Sequence, residues 1–173
     1  LDELMPCVPR TNTLVHDVAK DITTRLSKLD ITPETYGLIH FGAELDNIVW
    51  QAGKPMLLDF DDCCNMWFVA DIAFALRDVF VDDPSNVDLR DPRLQTFVDG
   101  YRQVRPLSDD DLIQLPLMLS FHNLVMFAKL QRTRDSLASH QQYPDWVRDL
   151  DDKLAQVMAQ YQRQFEAYEF GER

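Results

Sequence analysis

YGLIHFGAELDNIVWQAGKPMLLDFDD, residues 36–62, is the stretch whose reading decides the fold of this chain. Leu38 and Ile39 read as a short buried strand ending at His40, and a polar loop, residues 42–47, follows. Two apolar runs, 48–50 and 56–60, then flank Ala52-Gly53-Lys54. Apolar β-type runs on either side of such a turn predict a hairpin. The second run closes on three carboxylates, Asp59, Asp61 and Asp62. A loop Asn, Asn47, and a strand-end Asp, Asp59, are thereby expected close together. Oxygen ligands of this kind suit Mg²⁺, which keeps several waters and is completed by substrate phosphates.

His40-x-Gly42, then Asn47, then Asp59-Phe60-Asp61 follows the kinase order of catalytic loop, metal-binding Asn and metal-binding Asp. In detail the stretch resembles the aminoglycoside phosphotransferase and choline kinase-like family, whose catalytic loop reads His-Gly-Asp-x-His-x-x-Asn. The phrases Tyr36-Gly37-Leu38-Ile39-His40, Asp46-Asn47-Ile48 and Leu58-Asp59-Phe60-Asp61-Asp62 carry the likeness. Ala70-Asp71-Ile72-Ala73 and Gly100-Tyr101-Arg102 extend it, so that it runs from about residue 14 to the end. The resemblance implies a mainly α chain with a small β-hairpin, the C-terminal lobe of a protein-kinase-like fold with the N-terminal lobe absent. Residues 1–173 are then one lobe, made of an irregular opening segment (1–11), the catalytic-loop and metal-site hairpin (36–62) and a helical subdomain (67–170).

The implied reaction moves a phosphoryl group from ATP (or GTP), with Mg²⁺, to a hydroxyl of a small acceptor of the aminoglycoside or choline type, for which a cationic molecule is one candidate. By the same resemblance Asp59 bridges metal to phosphates, Asn47 holds the second Mg²⁺, and Asp61 is an auxiliary ligand or orients a metal-bound water. His40 anchors the loop backbone, Glu44 and Asp62 face the acceptor, and Asp71 steadies the catalytic loop. Two departures stand against a working enzyme. Gly42 occupies the position of the family's catalytic Asp and has no side chain to accept a proton; Glu44 stands where the family usually has its second His. No Gly-rich phosphate loop and no strand lysine precede residue 36, and the chain opens on Leu1 rather than Met. The nucleotide-holding lobe and its cofactor site are therefore expected outside the chain, and the isolated chain is expected to be close to inactive.

Composition bounds the alternatives. At 173 residues, 46% hydrophobic and 10% aromatic, the chain is long enough and apolar enough to bury a core. Its 29 acidic against 17 basic residues give a net charge of −12. That argues against nucleic acid or an anionic membrane as partner, since both call for basic patches. It is compatible with a cationic substrate, and equally with nothing more than a soluble acidic surface. Cys7, Cys63 and Cys64 form no repeated spacing, and an odd number of thiols with no signal peptide predicts a cytoplasmic protein.

Outward from the central stretch the pattern is helical. Leu14, Val18, Ile22, Leu26 and Leu29 recur at helical spacing. After a loop at 63–66, residues 67–80 read as an apolar helix with Asp71 as a partly buried carboxylate. A loop at 81–90 leads to Asp91-Pro92, a helix start running to about Val104, with Gly100 expected at a close helix contact. Ser108 with Asp111 resembles a capping box that opens a long core helix to Leu130, bent near Pro116. His122 inside it is expected to be a core histidine. After a polar connection at 132–143, Pro144 starts a last helix with Val147, Leu150, Leu154, Val157, Tyr161, Phe165 and Tyr168 along one stripe.

Three readings stand: a divergent phosphotransferase, a non-catalytic relative that binds a ligand or partner in the same cleft, and a metal hydrolase built on His40, Glu44 and Asp59. A Ser-His triad has no support, because Ser120 and His122 are two residues apart on a helix and no Gly-x-Ser-x-Gly elbow occurs.

Overall fold

The computed structural model describes residues 1, 3–80, 87–138 and 144–171. Most of them are helical, with two small antiparallel sheets. The chain divides into two compact units, one of Leu29–Ser120 and one of Leu1–Lys28 with Phe121–Arg173. Each is described by itself.

In the unit of Leu29–Ser120, strand β1 (Tyr36–Ile39) precedes the hairpin of β2 (Ile48–Gln51) and β3 (Lys54–Leu57). The hairpin pairs Ile48 with Leu57 and Gln51 with Lys54. Its two turn residues, Ala52 and Gly53, have φ of 50° and 76°, the sign that a two-residue turn needs to match strand twist. The expected second run is shorter than read: β3 stops at Leu57, and Asp59 leaves the strand with φ of 62°.

Residues 63–66, read as a loop, mostly belong to strand β4 (Cys64–Trp67), the partner of β1, with Tyr36 opposite Trp67 and Ile39 opposite Cys64. Cys64-Asn65-Met66-Trp67 carries little strand propensity of its own, and pairing with a distant strand supplies what the local sequence lacks. The pairing also corrects the reading of Leu38. Adjacent strand residues face opposite sides, so Ile39 is buried at 3% exposure while Leu38 is exposed at 71%.

Helix α2 (Phe68–Ala75) follows β4 directly, and a 3₁₀ turn at Arg77–Val79 continues it, so the helix read over 67–80 is in two pieces. Val69, Ala70, Ile72, Ala73 and Phe74 of α2 are buried. Residues 81–86 of the expected 81–90 loop lie outside the described residues. Helix α3 (Pro92–Arg102) starts as read, with Asp91 accepting from the Arg93 N–H and Pro92 in the first turn. The Arg93 guanidinium and backbone hold the Asp91 carboxyl down at about 2. Gly100 makes no close helix contact: a Cβ there would meet nothing within 4 Å.

The capping box forms as read, with the Asp111 N–H donating to Ser108 Oγ and the Ser108 N–H donating to the Asp111 carboxylate. It caps the four-residue helix α4 (Asp109–Leu112), and a new helix, α5 (Leu115–Ala138), begins three residues later. Pro116 therefore sits in a first helical turn, where its missing N–H has no intrahelical partner to lose, and no bend in a continuous helix is required.

In the other unit, α1 (Thr13–Leu26) is capped by Asn12 and buries Val15, Val18, Ala19, Ile22 and Leu26, one position off the expected start at Leu14. Residues from 121 onward of α5 run to Ala138, past the expected end at Leu130; residues 139–143 of the expected connection lie outside the described residues. His122 is buried, as expected. The last helix, α6 (Asp145–Glu166), buries Val147, Met158 and Phe165, whereas Leu150 and Val157 of the expected stripe are exposed. Phe127 meets Phe165 edge-on, and Arg134 binds Asp151 through two nitrogens. Cys7, Cys63 and Cys64 are not joined in disulfides.

Candidate functional site

β1 delivers the chain to His40, and from there the loop of residues 40–47 is held through its backbone. Asp71, on α2, accepts from the His40 N–H at 3.1 Å and the Phe41 N–H at 2.9 Å, one carboxylate oxygen each. Phe41 has φ of 70°, a conformation that L-residues rarely adopt without such restraint. Its ring stacks edge-on against Phe74, one helical turn beyond Asp71. Asp71, read as a partly buried carboxylate facing this loop, is where the sequence placed it.

The His40 ring is buried at 5% exposure and uses both nitrogens. Nδ1 accepts from the Gly42 N–H at 3.2 Å, which leaves Nε2 to donate to the Leu58 carbonyl at 2.9 Å. The ring so joins the loop to the strand end just before Asp59, as expected of a residue that positions the loop. Phe60 packs edge-on against it at 4.6 Å.

Asn47 closes the loop. Its side-chain amide donates to the Gly42 carbonyl at 2.8 Å, and its own carbonyl accepts from the Leu58 N–H at 2.8 Å. Asn47 precedes β2 and Leu58 follows β3, so Asn47 and Asp59 stand at the same open end of the hairpin. With its NH₂ group engaged, Asn47 has its Oδ1 to offer a cation. Asp59, Asp61 and Asp62 are exposed around that end. An amide oxygen and carboxylates of this kind make an oxygen donor set for a hard cation that retains water, and the residues fit Mg²⁺ on that ground.

Gly42 lies at the centre of this network without a strained backbone. A Cβ there would meet Asn47 Nδ2 at 3.6 Å and His40 Nδ1 at 3.7 Å, ordinary contacts. Glu44, read as facing an acceptor, is bound through both carboxylate oxygens by Arg77 in the 3₁₀ turn after α2. Arg77 was missed by the sequence reading. Its only signal was a charge directly after the apolar run Phe74-Ala75-Leu76. The hydrolase trio does not assemble: both His40 nitrogens are engaged and Glu44 is tied to Arg77. Among the described residues no three His, Cys, Asp or Glu side chains gather as a metal site.

Residues 10–107 match the model of the Phosphotransferase enzyme family. The chain belongs to that family. Amicoumacin kinase of Bacillus subtilis is 26% identical over 137 residues, covering 77% of this chain and 41% of its own length. Homoserine kinase of Paramagnetospirillum magneticum is 32% identical over 120 residues, covering 64% and 36%. The chain thus spans less than half the length of these phosphotransferase relatives. Among solved structures, an amicoumacin kinase in complex with AMP-PNP, Ca²⁺ and Ami superposes with a TM-score of 0.74 at 24% identity, over 95% of this chain and 47% of that one. A microcompartment-associated aminopropanol kinase gives a TM-score of 0.58 at 23% identity, over 92% and 47%. The chain accordingly has the protein-kinase-like fold of these neighbours.

Proposed function

We propose that residues 1–173 form the C-terminal lobe of a small-molecule kinase, the part that holds the metal and the acceptor hydroxyl. The observation that carries this reading is the placing of Asn47 and Asp59 at one end of the hairpin, behind a loop fixed by Asp71. That the chain spans under half of each relative supports placing the nucleotide-gripping lobe outside it. Mg²⁺ with ATP or GTP, when bound, supplies the phosphoryl group and neutralises its charge. Asp59 and Asn47 Oδ1 would hold the metal, and Asp61 would assist them as an auxiliary ligand or by orienting a water. His40 keeps Leu58 and Gly42 in register and does not act as the base, since both ring nitrogens serve the backbone. Asp62 faces the region of a cationic acceptor, while Glu44 serves the loop through Arg77. Three cysteines outside disulfides support a cytoplasmic setting.

No group at position 42 can take the acceptor proton, and general-base catalysis contributes roughly 10²–10⁴-fold. Without that base and without the second lobe, the isolated chain is close to inactive. Gly42 also favours a second reading, a relative that binds a ligand or partner without turning it over.

The test is the unfolding midpoint with and without millimolar Mg²⁺ and ATP, beside Asp59→Asn. A ligand at about 100 times its dissociation constant adds about 2.7 kcal/mol, or about 5–10 °C for a chain of this size. A rise that vanishes in Asp59→Asn supports the site. A rise that survives it overturns the assignment of a metal-nucleotide site to this chain, and no rise means that this lobe alone cannot hold the nucleotide. Measurable ATP-dependent phosphorylation of a small alcohol by the purified chain would refute its inactivity.

A further inference from the structure

Two side chains from one helical segment grip the loop of residues 40–47 at different points. Asp71, in α2, holds the N–H groups of His40 and Phe41. Arg77, six residues on, holds the carboxylate of Glu44. The first grip steadies the backbone where the loop begins. The second acts where the chain turns toward Asn47: the Glu44 N–H donates to the Gly42 carbonyl at 2.7 Å, and the Glu44 carbonyl accepts from the Asn47 N–H at 3.0 Å. Glu44 is therefore one hydrogen bond from Gly42 and one from Asn47. A fork of two parallel N–H···O bonds fixes direction as well as distance, which a single point charge does not. Both side chains are largely screened from water, at 27% and 29% exposure, so the pair is held more firmly than a surface ion pair. Asp78, 3.5 Å from the Arg77 Nε, is 81% exposed and competes weakly for the same guanidinium.

We propose that Arg77 is a positioning residue for the metal site, acting through Glu44 to fix the Gly42–Asn47 turn and with it the direction of Asn47 Oδ1. The proposal rests on the phosphotransferase reading for the metal, and assigns to Glu44 a task inside the protein. Arg77 touches neither metal nor substrate. Its effect passes along the carboxylate, the Glu44 backbone and the Asn47 N–H.

The experiment combines amide hydrogen exchange with Mn²⁺ titration followed by water-proton relaxation, on the whole chain. The variants are Arg77→Gln, Arg77→Lys, the charge-exchanged pair Glu44→Arg with Arg77→Glu, and Asp59→Asn as the binding control. In Arg77→Gln the amides of Glu44 and Asn47 are expected to exchange at least tenfold faster, while the Phe41 amide, held by Asp71, stays within twofold of the parent. Mn²⁺ affinity is expected to fall at least fivefold, with Arg77→Lys intermediate because it keeps the charge and loses the fork. The exchanged pair is expected to recover most of both losses, a rescue that simple destabilisation would not show. Unchanged exchange at Glu44 and Asn47 in Arg77→Gln overturns the tether. A loosened turn with parental Mn²⁺ affinity overturns the positioning role alone, leaving the metal site standing. Should the parent chain take up no more Mn²⁺ than Asp59→Asn, the metal-site reading itself falls, and the positioning role with it.

Discussion

Asp71→Ala tests whether the loop is built by its backbone tethers. The substitution removes two hydrogen bonds to a carboxylate, at 3.1 and 2.9 Å from the N–H groups of His40 and Phe41. Bonds to a charged acceptor contribute about 1.5–3 kcal/mol each, and a donor left without a partner costs about 1–3 kcal/mol. Asp71 is half-buried rather than fully enclosed, so water can reach part of the gap and the lower figure applies to each bond. The sum is about 3 kcal/mol. Phe41, released from its φ of 70°, returns about 1 kcal/mol of strain as the loop relaxes. A net loss of about 2 kcal/mol remains. With a urea m-value of about 2 kcal/mol/M, the denaturation midpoint should fall by about 1 M. Asp71→Asn should lose nearly as much, because a carboxamide presents one oxygen and turns its NH₂ toward the other donor. An alanine variant whose midpoint moves by less than about 0.3 M, roughly 0.6 kcal/mol on the same slope, would show that solvent replaces both bonds, and the reasoning that makes Asp71 the loop's anchor would be wrong.

Three further outcomes follow from geometry. Gly37→Ala places a Cβ 2.8 Å from Phe68 Cζ, under a ring that carries Arg105 at 3.6 Å; overpacking of that kind costs about 1–3 kcal/mol, and a melting midpoint within 1 °C of the parent would show that the ring moves aside freely. Gly42→Asp meets only ordinary contacts and no left-handed φ, so stability should change by less than about 0.5 kcal/mol; in a two-lobed assembly turnover should rise by about 10²–10⁴-fold, and no rise would favour the non-catalytic reading. Burial, together with the hydrogen bond it donates to Asp21, pushes the Tyr168 hydroxyl up to about 12 from 10.0. The folded state so keeps a proton that the unfolded chain loses, and the stabilisation present below pH 10 is lost as pH rises through 12. Urea midpoints of the parent and Tyr168→Phe should converge over that window, and parallel curves would count against the assignment.

The hairpin, the capping box and the Asp91-Pro92 start were legible because each is a local pattern: a turn flanked by apolar runs, or a cap within three residues of its target. The loop-facing Asp71, whose targets lie 30 and 31 positions earlier, was legible only through the family resemblance. What the sequence concealed depends on distant partners. Strand β4 exists because β1 pairs with it, and Leu38 is exposed because it faces the opposite side of β1 from the buried Ile39. Arg77 was invisible as a site residue because its partner, Glu44, lies 33 positions earlier and no spacing rule links a helix end to a loop. Pro116 misled for a different reason. A proline inside an apolar run reads as a bend, yet it also fits the first turn of a fresh helix, and only the break after Leu112 decides between them.

The contacts that shape the loop share a property that bears on Gly42. Asp71 binds backbone N–H groups, the His40 ring binds a backbone N–H and a backbone carbonyl, and Asn47 binds the carbonyl of residue 42. None of these depends on the side chain at position 42. A loop held in this way keeps its form whether that residue carries a carboxylate or nothing. Geometry and proton transfer are then separable: the first is written into residues 40, 44, 47, 71 and 77, and the second into position 42 alone. A chain that had drifted with no use for the site would be free to lose the tethers too, since holding Phe41 in a left-handed conformation carries a cost. Retained tethers without a base are what the metal reading expects, and the Asp59→Asn control tests it: the metal should be lost there while the tethers stay.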